Sequence, residues 1–513
     1  MKGRSVFSMK ILIFAALLLT SMAWYALPSR ADGDPGGTKT GTITDVPSAK
    51  AGDPTLKEVA DAVGHSRVAL NIVWTLITGF LVMFMQAGFA MVETGFTRAK
   101  NVAHTMGMNF LVYAIGVMGF WICGFALMFG GVGAVTSLGG TPGLTSEITV
   151  TLFGKTFGLF GASGFFLNNS VYDVGVYTLF LFQMVFMDTT ATIPTGAMAE
   201  RWRFLSFIFY GFFISMIVYP LFGTWVWGGG WLSALGTNFG LGHGHVDFAG
   251  SSVVHMVGGV SALAGAIVLG PRVGKYNKDG SANAIPGHNI PMAIIGTFIL
   301  AFGWFGFNPG SSLAGNDLRI AVVATNTMLA SASGALVATI YMWRRFGKPD
   351  PSMMANGMLA GLVAITAPCA FVNAPSAILI GAVAGFLVVA AVFFIDHKLR
   401  IDDPVGAVAV HGVNGCWGVI ALGIFADGSY GDGWNGVPGT VRGLLYGDPG
   451  QFLAELIGAA VCFVFVFAVM YAFFKVSNRV YHMRPAERVE VDGLDLPEMG
   501  IKGYEEITAQ GLE

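Results

Sequence analysis

Asp247-Phe-Ala-Gly250-Ser-Ser-Val-Val254-His255-Met-Val257-Gly-Gly259 and Asp403-Pro-Val-Gly406-Ala-Val-Ala-Val410-His411-Gly-Val413-Asn-Gly415 are two copies of one pattern, D-x-x-G-x-x-x-V-H-x-V-x-G. Each copy opens a long apolar stretch. About 20 apolar residues cross the hydrocarbon core of a bilayer as a helix. By that measure the chain offers eleven spans, at 69–95, 104–130, 175–198, 204–224, 249–270, 290–309, 318–342, 353–371, 375–395, 404–425 and 452–475. The copies begin the fifth and the tenth. Five spans apart, they cross in opposite directions, which is the mark of an inverted repeat. The sequence therefore predicts an all-α polytopic membrane protein of eleven transmembrane helices, a 5 + 5 inverted repeat plus one helix.

Composition agrees. Of 513 residues, 54% are hydrophobic and 11% charged, against about 25% charged in ordinary soluble proteins. So few charges cannot cover a water-soluble body of this size. The net charge of −2 excludes a basic nucleic-acid binder, which needs cations to meet phosphates. The 72 glycines suit close helix–helix approach in a membrane. Cys123, Cys369, Cys416 and Cys462 lie in separate apolar stretches without C-x-x-C spacing, so they read as small buried hydrophobes. Nothing points to a metal, a cofactor or an enzyme.

The ends read differently. Lys2, Arg4 and Lys10 precede the apolar run Ile11–Leu19, and small residues surround Ala31. This is a signal-peptide layout over residues 1–31. Residues 32–67 read as an exported tail, disordered through the Gly, Thr, Asp and Pro-rich 32–53 and ending in a short amphipathic helix around Leu56–Val63. The membrane domain is expected at 68–476 and a cytoplasmic tail at 477–513. Alternate connections carry Arg98, Lys100, Arg201, Arg203, Arg272, Lys275, Lys278, Arg344, Arg345, Lys348, Lys398 and Arg400. The others carry only Lys155, Arg319 and Arg442. The positive-inside rule then puts the first set in the cytoplasm, the N-terminus outside and the C-terminus inside. The connections 132–174 and 426–450 read as polar loops without recognisable chemistry.

In each repeat the His follows the Asp by eight residues, about 12 Å along a helix. Asp247 and Asp403 can cap their helices, or contact substrate. His255 and His411 then approach mid-membrane from opposite sides, and ionisable residues there mark substrate or proton paths. The pair is pictured as neutral or sharing one proton. Two axial haem ligands are the competing reading, against which stand the single His pair and the lack of a reductase domain. Glu93 is expected at the interface, beside a nearby Arg, or at a pore exit. Asp188, followed by Thr189 and Thr190, can pair with a loop cation or face a pore.

Further motifs lie in order along the chain: Phe182-Gln183-x-x-Phe186, Gly196-Ala-Met-Ala-Glu200-Arg201, Trp227-Gly-Gly-Gly230, Gly303-Trp-Phe-Gly-Phe-Asn-x-Gly-Ser311, Asp402-Asp-Pro and Gly493-Leu-Asp-Leu. Together with the two histidine repeats they resemble the Amt/Mep/Rh ammonium transporter family, of the bacterial Amt type, over residues 69–500. The resemblance implies a homotrimer in an inner (plasma) membrane, each subunit with its own narrow pore for ammonium or ammonia. Phe182, Trp227 and Ser311 match the family's external recruitment site. Phe186 and Phe307 match the stacked rings below it, and His255 and His411 the twin histidines. An indole face attracts a cation by about 0.5–2 kcal/mol, and a hydroxyl supplies an acceptor in place of water. A neutral ammonia crosses an apolar pore far more easily than a cation. The acidic tail is expected to dock on the basic loops, Gly493–Leu496 anchoring it across a subunit boundary, and a PII-type nitrogen-regulatory protein is a candidate partner. An ammonium sensor signalling through the tail is the alternative.

Overall fold

The computed structural model describes residues 34, 36–42, 54–139 and 143–504. The signal-peptide segment 1–31 and the last residues of the tail lie outside them. Eleven helices dominate: α1 (Pro54–Phe96), α2 (Ala99–Phe129), α3 (Val174–Ala197), α4 (Phe204–Val226) and α5 (Ser251–Leu269). They continue with α6 (Ile290–Gly310), α7 (Ile320–Phe346), α8 (Pro351–Ile365), α9 (Ala374–Leu399), α10 (Val408–Phe425) and α11 (Pro449–Tyr481). Among the described residues, ten are long and apolar enough to cross a membrane and α8 is a shorter apolar helix. The fold is that of a multi-pass membrane protein.

The eighth span is where pattern and structure part. Asp350 caps α8 by accepting from Ser352 N, with Pro351 at the first helical position, a favoured start. The helix then stops after 15 residues. The chain beyond it is irregular but buried, and its carbonyls are used: Ala249 N donates to Thr366 O (3.2 Å) and Phe248 N to Ala367 O (3.3 Å). Non-helical backbone survives at membrane depth only when enclosed and satisfied in this way.

The repeat shows in the packing. The first helices of the two halves, α1 and α6, lie against one another, and so do the last, α5 and α10. A Cβ at Gly88 of α1 would come within 2.9 Å of Gly296 O of α6, so glycine sets how closely these helices approach.

Three expectations change. Leu56–Val63 is no separate helix; it continues into the first span as part of α1. Within the 32–53 tail, the described residues 34 and 36–42 are folded. The Asp34 carboxylate accepts from the backbone N–H groups of Thr38 (2.9 Å), Lys39 (2.6 Å) and Thr40 (2.7 Å), and Asp34 N donates to Asp173 (3.3 Å). The 132–174 connection forms an antiparallel hairpin, β1 (Glu147–Leu152) and β2 (Lys155–Gly161). It docks on the end of α4 through Trp225 Nε1 to Leu159 O (2.9 Å) and Trp231 N to Gly158 O (3.1 Å).

The end bearing Arg98, Arg201 and Arg272, the basic end, is held by buried ions. Arg272 donates to Asp402 through Nε and Nη2 and to Glu200 through Nη1, each at 2.9 Å. Arg98 pairs with the other oxygen of Glu200. Burial alone would raise the Asp402 carboxyl, but Arg201 and Arg272 hold it well below the usual carboxylate range. The tail closes over this cluster. Glu490 accepts from Val273 N (2.7 Å) and pairs with Arg484 (2.8 Å). Leu494 N donates to Asn101 (2.9 Å), and Asp495 accepts from His104 N (2.9 Å). Within the chain, Gly493–Leu496 is thus held at the start of α2.

Arg272→Met is expected to cost about 3–5 kcal/mol, because it removes the guanidinium that bridges two buried carboxylates and leaves Asp402 without its ion pair, and to lower Tm in detergent at neutral pH. The pairing that depresses Asp402 stabilises the fold fully above the unfolded carboxyl value of about 4 and is lost as pH falls below it. The Tm difference between Arg272→Met and the parent should therefore shrink on acidification.

Candidate functional site

Helical spacing places Phe182 over Phe186 on α3 and Phe307 beneath Ser311 on α6. The ring centroids of Phe182 and Phe186 are 4.7 Å apart, and Phe186 stacks on Phe307 at 4.1 Å and 28°. Above them, at the end opposite the basic loops, opens a cavity of about 330 Å³ whose walls include Phe182, Gln183, Trp227, Phe248, Ser311 and Trp434. Trp227 Nε1 donates to Asp247 O (2.6 Å), which fixes the indole at the cavity. Ser311 Oγ donates to Phe307 O (2.8 Å). Its one proton is used, so its oxygen is left to accept.

The repeated Asp and Gly now have a physical reading. The Asp247 carboxylate accepts from the N–H groups of Gly250, Ser251, Ser252 and Val253 at 2.7–3.0 Å and from Ser252 Oγ at 2.7 Å. Asp403 accepts from Gly406 N (3.0 Å) and Val408 N (2.7 Å). Gly250 (φ +118°) and Gly406 (φ +80°) turn the chain into the helix through the left-handed region, which favours glycine. His255 is therefore the fifth residue of α5 and His411 the fourth of α10, not the ninth of a continuous helix as the eight-residue spacing implied. Both lie in π-helical turns, a local widening common at functional sites.

The two imidazoles meet. Nδ1 of His255 and Nδ1 of His411 are 3.1 Å apart, with rings tilted by 26°. His255 stacks on Trp304 (5.3 Å) and Phe307 (5.4 Å), continuing the aromatic column down from Phe186. Directly hydrogen-bonded imidazoles leave no gap for a porphyrin, which removes the haem reading. The meeting depends on backbone approach: a Cβ on Gly259 would stand 2.1 Å from Gly412 N.

Glu93, three residues before the end of α1, is buried and pairs with no Arg among the described residues. It is 3% exposed and accepts from Asn109 Nδ2 (2.7 Å) and Thr195 Oγ1 (2.8 Å). It shares a cavity of about 20 Å³ with His411, Phe89 and Asn356. Asp188 is buried, pairs with no loop cation, and its Oδ1 has no hydrogen-bond partner among the described residues. Sequence reading missed Trp434, whose loop had looked featureless, and Phe248; the two pack with centroids 6.1 Å apart. An aromatic within a Gly-rich stretch was the available signal. It also missed the buried pair His245–Glu455 (2.6 Å). His245 continues to Ser252 Oγ (3.0 Å), and so to Asp247.

Membrane helices around a cation-suited cavity and an apolar, histidine-ended column define a multi-pass transporter. The Ammonium Transporter Family model matches residues 73–504, and the chain belongs to that family. It is 46% identical over 455 residues to the ammonium transporter Amt2 of Archaeoglobus fulgidus, covering 88% of this chain and 91% of that one. It is 33% identical to ammonium transporter 1 member 3 of Solanum lycopersicum, over 85% of this chain and 93% of that one. Among solved structures, a sensor Amt protein superposes with a TM-score of 0.73 at 37% identity, covering 84% of this chain and 98% of that one. Saccharomyces cerevisiae Mep2 superposes with a TM-score of 0.70 at 26% identity, over 86% and 92%.

Gly259→Ala is expected to force α5 and α10 apart, costing about 1–3 kcal/mol of overpacking strain. The measurements are Tm in detergent, which should fall, and ammonium uptake in liposomes, which should be largely lost.

Proposed function

We propose that the protein takes ammonium into the cell across the inner membrane, by recruiting the cation, removing a proton and passing ammonia along the aromatic column past the twin histidines. The observation that carries this reading is the Nδ1···Nδ1 contact of His255 and His411. Only one of two such nitrogens can hold the proton between them, so one ring donates and the other accepts. The outer Nε2 atoms then have opposite character, one an acceptor and one a donor. A proton arriving at one Nε2 shifts across the pair, and another leaves from the far side. His255 Nε2 is buried without a hydrogen-bond partner, as suits a nitrogen awaiting a substrate.

Recruitment is assigned to Phe182, Trp227 and Ser311: two π faces for a cation and an oxygen acceptor for an N–H. Phe186 and Phe307 form the gate that a hydrated ion cannot pass without losing its water. Asp247 and Asp403 act by holding the two helix starts. The asymmetry of loop charge supports a cytoplasmic basic end and an outward-facing cavity. Family membership supports a homotrimer, with the tail-covered basic end as the face for a PII-type partner. The sensor alternative gains nothing from the tail, which in the described residues is short and docked.

Replacing His255 and His411 together with Ala should abolish ammonium uptake or its selectivity over potassium while the assembly survives. Wild-type rates and selectivity in proteoliposomes would remove the relay. Trp227→Leu should raise the half-saturating ammonium concentration several-fold, in keeping with a cation–π loss of about 1–2 kcal/mol, and leave uptake at saturation little changed. Concentration-dependent uptake reads both quantities.

A further inference from the structure

We infer that Glu93 is the next proton acceptor after the twin histidines, loaded from His411 through one water and emptied toward the basic end. The inference rests on the relay reading above. Four observations carry it.

Glu93 is free to change charge. The acids Glu200 and Asp402 at the same end of the protein are clamped by arginines, which hold a carboxylate as an anion. Glu93 takes part in no ion pair among the described residues. The groups turned toward it are Asn109 of α2, Thr195 and Gly196 of α3, Tyr210 of α4, Asp403 ahead of α10, and His411 across the cavity. None is a Lys or Arg. A buried carboxyl without a cation is costly and is a functional candidate by default in a membrane.

Its hydrogen bonds also serve both protonation states. Thr195 Oγ1 stands 2.8 and 3.0 Å from the two Glu93 oxygens and 2.5 Å from Thr192 O. When Glu93 is a carboxylate, the Thr195 hydroxyl donates to it. When Glu93 is an acid, the hydroxyl turns to Thr192 O and accepts the Glu93 proton. Asn109 Nδ2 donates to Glu93 throughout (2.7 Å). Asn109 is itself held: its Oδ1 accepts from Thr192 Oγ1 (3.0 Å), and its carbonyl oxygen from Gln86 Nε2 (2.6 Å). The hydrogen bond between Glu93 and Thr195 is kept in both states, with its direction reversed.

Space is reserved for the carboxyl and for a water. A Cβ on Gly196 would come within 2.5 Å of Val405 Cγ2 and 3.1 Å of the Glu93 carboxyl, so Val405 and Glu93 together account for the glycine that opens the Gly196-Ala-Met-Ala-Glu200 motif. The cavity joining Glu93 to His411 measures about 20 Å³. One water needs at least about 10–15 Å³ and polar partners, and the cavity has both.

In the step, protonated His411 gives its N–H proton to the cavity water as that water gives one of its own to a Glu93 oxygen. One N–H and one O–H bond break and two O–H bonds form. The imidazole is left neutral and Glu93 a carboxylic acid, which then returns its proton to water at the basic end.

The test is Glu93→Gln in proteoliposomes, a change that keeps the side chain's shape and its bond from Asn109. Ammonium-evoked current should fall at least about tenfold with half-saturation unchanged, since recruitment lies across the column. Glu93→Asp should restore part of the current with an altered dependence on pH at the basic side. On the wild type, ammonium addition should produce an infrared carboxylic-acid carbonyl band that shifts in Glu93→Asp; this measurement decides the matter even if Glu93→Gln does not fold. Wild-type current and pH dependence in Glu93→Gln, or no such band, overturns the assignment. If Glu93→Gln is silent while the double histidine variant is dead, the relay stands without Glu93. If the double histidine variant is also active, the relay itself falls.

Discussion

The Asp247 carboxylate gathers five hydrogen-bond donors at 1% exposure, and the rest of the site depends on that knot. A helix that starts inside a membrane leaves backbone N–H groups with no water to receive them, each costing several kcal/mol if unpaired. Asp247 satisfies four of them at once, so α5 can begin at Ser251. His255 then falls beside Phe307 and His411 and not a turn further along. The carbonyl of the same residue holds the Trp227 indole. One aspartate thereby fixes both an indole wall of the cavity and the start of the helix that carries the first histidine.

The mirror-related Asp403 does the same work with fewer donors, from the other end. Its α10 can meet α5 only because Gly259 carries no side chain against the Gly412 backbone. In a bilayer there is no hydrophobic force to press helices together, so close contact of small residues and satisfied polar groups must hold them. The 72 glycines are in this sense the packing material of the fold.

Along the axis the chemistry changes character. From the cavity to His255 the lining is aromatic, offering faces to a cation and nothing to a hydration shell. Beyond His411 it becomes a network of Glu93, Asn109, Thr192, Thr195 and Gln86. Further on, the acids Glu200 and Asp402 are clamped by Arg98 and Arg272. Carboxyls of the same kind thus differ in freedom according to whether a guanidinium reaches them. The clamped acids hold the loops and tail in place.

The sequence by itself determined the spans, the repeat and the identity of the paired histidines. These are local or periodic properties: a run of apolar residues must cross the bilayer, and an Asp-Gly-His pattern repeated five spans on must be approached from the other face. Ten spans were legible for that reason, and the eighth was legible as apolar but not as a helix broken after Ile365. Its break is enforced by Phe248, Ala249 and Ser251, more than a hundred residues away. That Phe186 of α3 stacks on Phe307 of α6 was implied by the family resemblance and not by the residues' own pattern, and the tertiary structure alone decided that Trp434 reaches the cavity from a loop without a motif. It also decided that Glu93 has an amide and a hydroxyl as partners and, among the described residues, no cation. Such contacts join residues far apart in the chain, and nothing in their own neighbourhood encodes them. Whether a buried acid is clamped or free is a question of which helix stands opposite, and packing answers it.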